Sequence, residues 1–325
     1  MMFTLDSRVS RPFVLACDEG YAMPLATTLR SLVEANRSGW PLEVHILSVG
    51  FSENVKRKVV NSLPEGSASI RWLPVDLARF AGWSTIEHIS KATYARLLIS
   101  SIFPDGVHRA LYLDADTLVL DDLSPLWEMD LEGAVLGAVP DEGLGTEVRL
   151  GNENLAAVPG VRDYFNAGVL LIDLARWREE GIPEKALEYL KRYPHSPFSD
   201  QDALNVACDG LWKRLDPRWN YQAHCKRRIS DLRAPQRPGI VHFVTWVKPW
   251  DARCPRLNAE FYDDFRTRTS FARTPADKLV DALKVIWSRL KSVLKRSVVV
   301  RQIWYQVRLP QSHRGRNSAP RVSAE

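Results

Sequence analysis

The feature that most constrains the fold is an alternation of short apolar runs with helical patterns in the first part of the chain. Runs typical of strands lie at 13–17, 42–49 and 69–75, and helical patterns lie between them at 23–36 and 52–63. Such alternation favours right-handed βαβ units, which place their strands in a parallel sheet. We therefore predict an α/β fold with a mostly parallel central sheet.

The same alternation continues less regularly into the rest of the chain. Of the 325 residues, 45% are hydrophobic, so the chain can bury the core of one large domain or two modest ones. We expect further strands at 109–113, 134–139, 167–172 and 240–243, and further helices at 90–101, 183–192 and 200–207.

Two carboxylates follow directly on the apolar run 109–113, as Asp114-Ala115-Asp116. Residues i and i+2 of an extended chain point to the same side, so these carboxylates repel each other unless a cation or water separates them. Ligands bind at the carboxyl ends of strands in open α/β sheets. A hard divalent cation that bridges to a diphosphate suits this pair, although a solvated acidic turn would give the same pattern.

His242 ends another apolar run, and Lys248 follows six residues later in Lys248-Pro249-Trp250. A histidine in this position either binds a metal or makes a hydrogen bond within the core. The lysine either binds a phosphate or is an ordinary surface residue. Asp200-Gln201-Asp202 opens a helix, where its polar groups either stabilise the helix N-terminus or face a ligand such as a sugar.

Basic charge is concentrated near the C-terminus. The net charge of the chain is +5, but residues 278–316 contain ten Lys or Arg and one acidic residue, which leaves a net charge of −4 elsewhere. This asymmetry argues against nucleic-acid binding by the whole chain and favours a tail that binds an acidic surface. Apolar residues recur in this tail with helical spacing, at positions 279, 283, 286, 290 and 293.

A basic amphipathic helix of this kind is typical of one that lies in a membrane interface. The alternative is that its apolar stripe packs on the main domain or on a second subunit. The four cysteines, Cys17, Cys208, Cys225 and Cys254, lack zinc-like spacing, and we interpret them as reduced thiols. With no recognisable secretory signal and no long apolar run, we expect a cytoplasmic protein, peripheral on the inner face of the cytoplasmic membrane.

Six ordered segments, within about residues 12–255, resemble glycosyltransferase family 8. Those retaining enzymes include bacterial lipopolysaccharide galactosyl- and glucosyltransferases. The order of the segments is specific, whereas no single segment is. They are Leu-Ala-Cys-Asp18, His88-Ile-Ser-Lys-Ala-Thr-Tyr-Ala-Arg96-Leu, Leu-Tyr-Leu-Asp114-Ala-Asp116, Phe-Asn166-Ala-Gly168-Val-Leu-Leu-Ile, Asp200-Gln201-Asp202, and His242-Phe followed by Lys248-Pro-Trp.

The resemblance implies a GT-A fold, in which a single Rossmann-like domain binds a nucleotide sugar. We expect this catalytic domain at 1–273, a basic amphipathic helical tail at 274–311 and a disordered C-terminus at 312–325. The resemblance also implies a manganese or magnesium ion and a UDP-sugar donor, either UDP-galactose or UDP-glucose.

By the family pattern, the metal ligands are Asp114, Asp116 and His242. The nucleotide and donor-sugar contacts come from eight further residues, of which Lys248 binds the diphosphate. These eight are Ala16, Asp18, His88, Ile89, Arg96, Ala115, Asn166 and Lys248. The catalytic positions implied are Asp200 and Gln201 facing the sugar, with Asp141 toward the acceptor.

Two positions depart from the family pattern. Gly20 stands where the family often has Asn, so we expect one nucleotide contact to be missing. Thr245 stands where the last motif usually has a Gly that lets the backbone approach a phosphate closely. The threonine hydroxyl either replaces that contact or keeps the loop further out.

The resemblance implies retaining transfer of a hexose to a glycan acceptor, in bacterial lipopolysaccharide or another surface glycan. A double displacement needs a nucleophilic carboxylate beneath the anomeric carbon, and the family pattern places Gln201 there. We therefore favour front-face attack by the acceptor hydroxyl. The alternatives are a self-glucosylating protein of the glycogenin kind and a catalytically weak UDP-sugar-binding protein.

Overall fold

The computed structural model describes residues 11–76, 91–143, 161–223, 237–245, 247–251, 254 and 256–296. Two compact units divide the chain, Met1–Ala272 and Arg273–Glu325. The first unit contains both β-sheets and is built around the larger of them.

Seven strands form the central sheet of the first unit. They are β1 (Pro12–Asp18), β2 (Leu42–Val49), β3 (Ala68–Pro74), β4 (Arg109–Leu113), β6 (Leu136–Pro140), β7 (Phe165–Asp173) and β8 (Trp212–Arg214). Their order is β3-β2-β1-β4-β7-β6-β8. Four of the neighbouring pairs are parallel, and β7 runs antiparallel to both β4 and β6. The prediction of a mostly parallel sheet is confirmed, with β7 as the reversed strand.

Three short strands form a second sheet, in the order β5 (Thr117–Val119), β10 (Ile240–His242) and β9 (Tyr221–Gln222). The helices of the first unit are α1 (Ala22–Ala35), α2 (Glu53–Val60), α3 (Ser124–Trp127), α4 (Leu174–Glu179), α5 (Ile182–Arg192), α6 (Ser199–Ala207) and α7 (Arg256–Arg266). Lys91–Ile102, expected as a helix, is a 3₁₀ helix.

The alternation of side chains along β1 places apolar groups on both faces of the sheet. Val14 and Ala16 pack into one core with residues of α5 and α6, whereas Phe13, Leu15 and Cys17 pack into another with α1. Because successive residues of a strand point to opposite faces, a run that is apolar throughout is buried on both sides. The sheet is therefore covered by helices on both faces.

The expected strands and helices in the described residues are present, with ends shifted by a few residues. Five of the unexpected elements, β5, β8, β9, α3 and α4, have six residues or fewer. Elements this short give too few residues for a period to emerge. The eleven-residue helix α7 was also missed.

The second unit contains the helix α8 (Pro275–Arg296). Its start is fixed by Thr274 and Asp277, since the Thr274 N–H donates to the Asp277 carboxylate and the Asp277 N–H donates to the Thr274 hydroxyl. Apolar side chains at 279, 283, 286 and 290 are at least half exposed. The expected continuation to residue 311 and the C-terminus at 312–325 lie outside the described residues. In the part of the chain that the structure describes, no helix is long and apolar enough to span a membrane.

Candidate active site

The turn that follows β4 carries the first two candidate ligands. The backbone N–H of Asp114 donates to the Gly168 carbonyl on β7 at 2.8 Å. From the other face, the Thr28 hydroxyl of α1 lies 2.8 Å from the carbonyl oxygens of Ala115 and of Thr117. The turn is therefore held on both sides, and Ala115 is buried within it.

His242 reaches this turn because β10 pairs with β5, in a register that places His242 opposite Thr117. Its Nε2 atom lies 3.6 Å from Oδ2 of Asp114 and 3.3 Å from Oδ1 of Asp116. One ligand atom from each of the three residues lies within 4.8 Å of the others. The structure thus brings together all three expected metal ligands, and the two carboxylate oxygens among them suit a hard divalent cation.

Lys248 lies on the other oxygen of the second carboxylate. Its Nζ atom is 2.8 Å from Oδ2 of Asp116 and 2.5 Å from the carbonyl oxygen of Phe243. Burial raises the pKa of Asp116, but the Lys248 ammonium and His242 together more than offset this effect, and the pKa lies well below its usual range. Asp116 is therefore charged at neutral pH, with Oδ1 toward His242 and Oδ2 toward Lys248.

Arg96 joins the metal cluster to the sugar-side candidates. Its buried guanidinium lies 3.0 Å from Oδ1 of Asp114 and 2.7 Å from Oδ2 of Asp200. These two contacts are ion pairs, and Nη1 of Arg96 also donates a hydrogen bond to the Ala167 carbonyl at 2.7 Å. Burial raises the pKa of Asp200, and Arg96 only partly counteracts it. Arg96, expected to contact ribose or donor sugar, thus uses three of its nitrogens within the protein.

Gln201, Asp141 and Asn166 meet at the start of β7. The Gln201 Oε1 atom accepts the backbone N–H of Ala167 at 3.0 Å, and its Nε2 donates to Oδ2 of Asp141 at 3.3 Å. Asn166 donates to the same Asp141 oxygen at 3.1 Å. Two of the catalytic candidates are therefore hydrogen-bonded to each other, and Arg96 links the third, Asp200, to the metal cluster.

The carboxyl end of β1 carries the nucleotide candidates Ala16 and Asp18. A Cβ atom added at Gly20 would lie 3.1 Å from Oδ1 of Asp18, so any side chain there would crowd that carboxylate. The Thr245 hydroxyl donates to the Val247 carbonyl at 3.0 Å, within its own loop. The candidates His88 and Ile89 lie outside the described residues.

Three residues around the metal cluster were given no role by the sequence analysis. Tyr112 donates its hydroxyl to Oδ1 of Asp114 at 2.7 Å, and its i, i+2 spacing from Asp114 was a usable signal. Gly168 lies against His242 and leaves no room for a side chain. Asn220 lies 3.1 Å from His242, on a 3₁₀ turn that has no periodic pattern.

The helix-covered sheet, with its acidic turn at the carboxyl end of a central strand, defines a GT-A fold. The crystal structure of the galactosyltransferase LgtC, in complex with donor and acceptor sugar analogues, is similar, with a TM-score of 0.69. Identity is 29%, and the match covers 83% of this chain and 99% of that one. The model of glycosyl transferase family 8 matches residues 12–254, and the chain belongs to that family.

Two curated proteins are similar to this chain over most of its length. General stress protein A of Bacillus subtilis is 28% identical over 275 residues, which is 79% of this chain and 94% of the relative. The lipopolysaccharide 1,3-galactosyltransferase of Salmonella typhimurium is 26% identical over 242 residues, which is 72% of this chain and 71% of the relative. As a family 8 glycosyltransferase, the protein is an enzyme.

Proposed function

We propose that this glycosyltransferase is a retaining, metal-dependent hexosyltransferase. It moves galactose or glucose from a UDP-sugar to a glycan acceptor, in bacterial lipopolysaccharide or another surface glycan. The observation that carries the proposal is the cluster of Asp114, Asp116 and His242 beside Lys248. The similarity to a lipopolysaccharide galactosyltransferase and to LgtC with its sugar analogues supports the choice of substrates.

The proposed metal ligands are Oδ2 of Asp114, Oδ1 of Asp116 and Nε2 of His242. A Mn²⁺ or Mg²⁺ ion held by these residues would supply Lewis-acid stabilisation of the negative charge that develops on the departing diphosphate. Lys248 binds the same diphosphate, because Asp116 Oδ2 holds its ammonium beside the cluster.

On the sugar side, we assign Asp200 and Gln201 to the donor and Asp141 to the acceptor. We assign the contacts with the nucleotide or the donor sugar to Ala16, Asp18, His88, Ile89, Ala115 and Asn166. Arg96 is also assigned to the ribose or donor sugar, and it bridges the carboxylates of Asp114 and Asp200. Gln201 is a neutral amide whose oxygen already accepts a backbone N–H. It is a poor nucleophile, which supports front-face attack by the acceptor hydroxyl over a covalent glycosyl-enzyme.

A screen of donors tests the proposal against its alternatives. Incubated with Mn²⁺ and each of several UDP-sugars, the enzyme should slowly hydrolyse its own donor. A binding protein without activity would hydrolyse none. A self-glucosylating protein would instead gain mass in steps of one hexose, which mass spectrometry of the intact chain detects.

Changing Gln201 to Ala should lower turnover by about 100-fold while UDP binding persists, because the amide acts where charge develops. Turnover is followed with the hydrolysed donor, and UDP binding by calorimetry in Mn²⁺. Loss of UDP binding would instead place Gln201 on the nucleotide side.

Proton coupling at the anomeric centre of the wild-type product should show an α-linkage, and a β-linkage would contradict the retaining mechanism.

Changing Thr245 to Gly should leave the affinity for UDP similar or improve it. The Thr245 hydroxyl bonds the carbonyl of Val247 in its own loop, and Gly allows a closer backbone approach to phosphate. Calorimetry in the presence of Mn²⁺ measures the affinity, and Thr245→Ser, which keeps the hydroxyl, is the matched control. A large loss in the Gly variant alone would mean that the hydroxyl makes an essential contact.

We propose further that residues 278–309 attach the protein to the anionic inner face of the cytoplasmic membrane, where a lipid-linked acceptor is presented. Within α8, Leu279, Leu283, Ile286 and Leu290 are 63, 56, 61 and 50% exposed. The basic excess of the chain is confined to the same segment. Each Lys or Arg near an anionic leaflet contributes about 1 kcal/mol, so the charge and the apolar stripe act together.

Truncation after Arg273 should remove binding to anionic liposomes and leave donor hydrolysis intact. Sedimentation with vesicles at low salt measures the binding, and neutral phosphatidylcholine vesicles are the lipid control. The full chain with Leu283→Glu and Ile286→Glu should lose binding while keeping all of its basic residues. Equal binding by the truncated and full chains would exclude this role, and unfolding on truncation would assign the stripe to the core.

A further inference from the structure

Two buried amides lie behind the histidine of the metal cluster. Nδ1 of His242 is 3.1 Å from Oδ1 of Asn166 and 3.1 Å from Oδ1 of Asn220. All three side chains are buried, and Asn220 is only 1% exposed. The ring nitrogen that faces away from Asp114 and Asp116 therefore meets two amide groups and no solvent.

The neighbours of the two amides determine which way each one points. Nδ2 of Asn166 faces a carboxylate oxygen of Asp141 at 3.1 Å, and an ionised carboxylate only accepts. Oδ1 of Asn166 faces the backbone N–H of Gly168 at 3.0 Å, which only donates. Asn220 then donates its Nδ2 to the same Asn166 oxygen at 2.9 Å, so its own oxygen faces His242.

A count of lone pairs assigns the proton of the histidine. Oδ1 of Asn166 has two lone pairs, and the N–H groups of Gly168 and Asn220 use both. Nδ1 of His242 faces only amide oxygens in this arrangement, so it must donate, and Oδ1 of Asn220 is the acceptor with capacity for it. In the neutral ring, the lone pair is then on Nε2, the nitrogen that faces Asp114 and Asp116.

We infer that Asn220 is a positioning residue that fixes the tautomer of His242 and so makes Nε2 available as a metal ligand. This inference rests on the proposed metal site. The hydrogen bond made by one ring nitrogen decides which nitrogen can bind a metal, and partners behind metal-binding histidines act in this way. Without its acceptor, the ring can carry its proton on Nε2, where it cannot bind a cation.

The tautomer can be measured directly in the metal-free wild-type protein. Nitrogen-15 spectra of histidine-labelled protein distinguish an Nδ1–H ring from an Nε2–H ring at a pH where the ring is neutral. The chain has seven histidines, so the His242→Gln variant identifies the signal by its loss. We expect His242 as the Nδ1–H tautomer, and an Nε2–H signal would overturn the inference.

A matched pair of variants then tests the consequence for the cation. Asn220→Asp keeps an oxygen for Nδ1–H, whereas Asn220→Leu keeps the approximate volume and removes the acceptor. Electron paramagnetic resonance measures the free Mn²⁺ and so gives the affinity of each variant. The Asp variant should bind Mn²⁺ with near wild-type affinity. Affinity of the Leu variant should be about 10-fold weaker or worse, the usual effect of losing such a partner. If Asn220 only fills space, the Leu variant should bind at least as well as the Asp variant, and that result would overturn the inference.

Asn205→Leu serves as the control for loss of any buried asparagine. Asn205 bonds the backbone of Phe165 and has no bond to His242 among those described, so its loss should lower thermal stability and leave the tautomer unchanged. If Asn220→Leu fails to fold, the wild-type spectrum still decides. If the wild type binds no Mn²⁺, the proposed metal dependence is wrong. The tautomer of His242 is still tested, because the nitrogen-15 spectrum is recorded without metal.

Discussion

Changing Asp116 to Ala should abolish turnover and Mn²⁺-dependent UDP binding together. The substitution removes a hard anionic ligand from the cluster and also removes the partner that holds Lys248 at 2.8 Å. The two positive charges that the proposed function assigns to the diphosphate, the cation and the Lys248 ammonium, are then lost or displaced. We expect turnover to fall by at least about 1,000-fold, at the upper end of what loss of one electrostatic group produces.

Asp122→Ala is the matched control, because it deletes a carboxylate six residues further along the same segment. Asp122 bonds Ser38 and Ser124 instead of the cluster, so its loss should lower stability by about 1 kcal/mol and leave Mn²⁺ binding unchanged. Full activity of the Asp116 variant, or activity of the wild type undiminished by a chelator, would contradict the metal assignment.

Changing Gly168 to Ala should disable the same cluster without touching any of its ligands. An added Cβ would lie closer than 3.0 Å to Cε1 and Nδ1 of His242 and 2.9 Å from Oδ2 of Asp114. The His242 ring is buried, and both it and the partly buried Asp114 carboxylate are hydrogen-bonded, so the ring and the carboxylate must separate. Displacements of about 1 Å at a catalytic site can cost about 100-fold, and we expect a loss of that size in turnover and Mn²⁺ affinity.

Gly137→Ala separates this effect from general crowding. A Cβ at Gly137 meets Leu215 and Leu131 at 2.7 and 3.0 Å, in the core and away from the cluster. That variant should lose about 1–3 kcal/mol of unfolding free energy, the usual cost of overpacking, and retain Mn²⁺ affinity. If both variants bind Mn²⁺ like the wild type, the close packing of Gly168 against His242 does not shape the metal site.

Much of the sheet was predictable because its central strands are apolar on both faces. The direction of β7 was not predictable, because a run that is apolar throughout gives the same pattern for a parallel and an antiparallel strand. Reversal of β7 depends on long-range pairing with β4 and β6, and a local pattern carries no information about that. In the second sheet, β10 was predicted, whereas β5 and β9 were missed because two or three residues are too few for a period to emerge.

The residues of the candidate site also fall into those that the sequence predicted and those that depend on long-range contacts. The pair Asp114 and Asp116 was predictable because both carboxylates follow one strand in the sequence, two residues apart. His242 is placed beside them by the register of β10 on β5. Its own pattern left metal binding and a core hydrogen bond open, and only the family pattern grouped it with Asp114 and Asp116. Asn220 was not foreseen, because its contacts depend on where a turn without periodicity meets the sheet.

The single guanidinium between Asp114 and Asp200 has a thermodynamic consequence. Both ion pairs share the Arg96 guanidinium. A charge added beside one carboxylate therefore changes the strength of the ion pair between Arg96 and the other carboxylate. Occupancy at the two ends of the site is then linked, and linkage in binding free energy is reciprocal. Under the proposed function, whatever factor the cation applies to the affinity for the donor sugar, the sugar applies to the affinity for the cation.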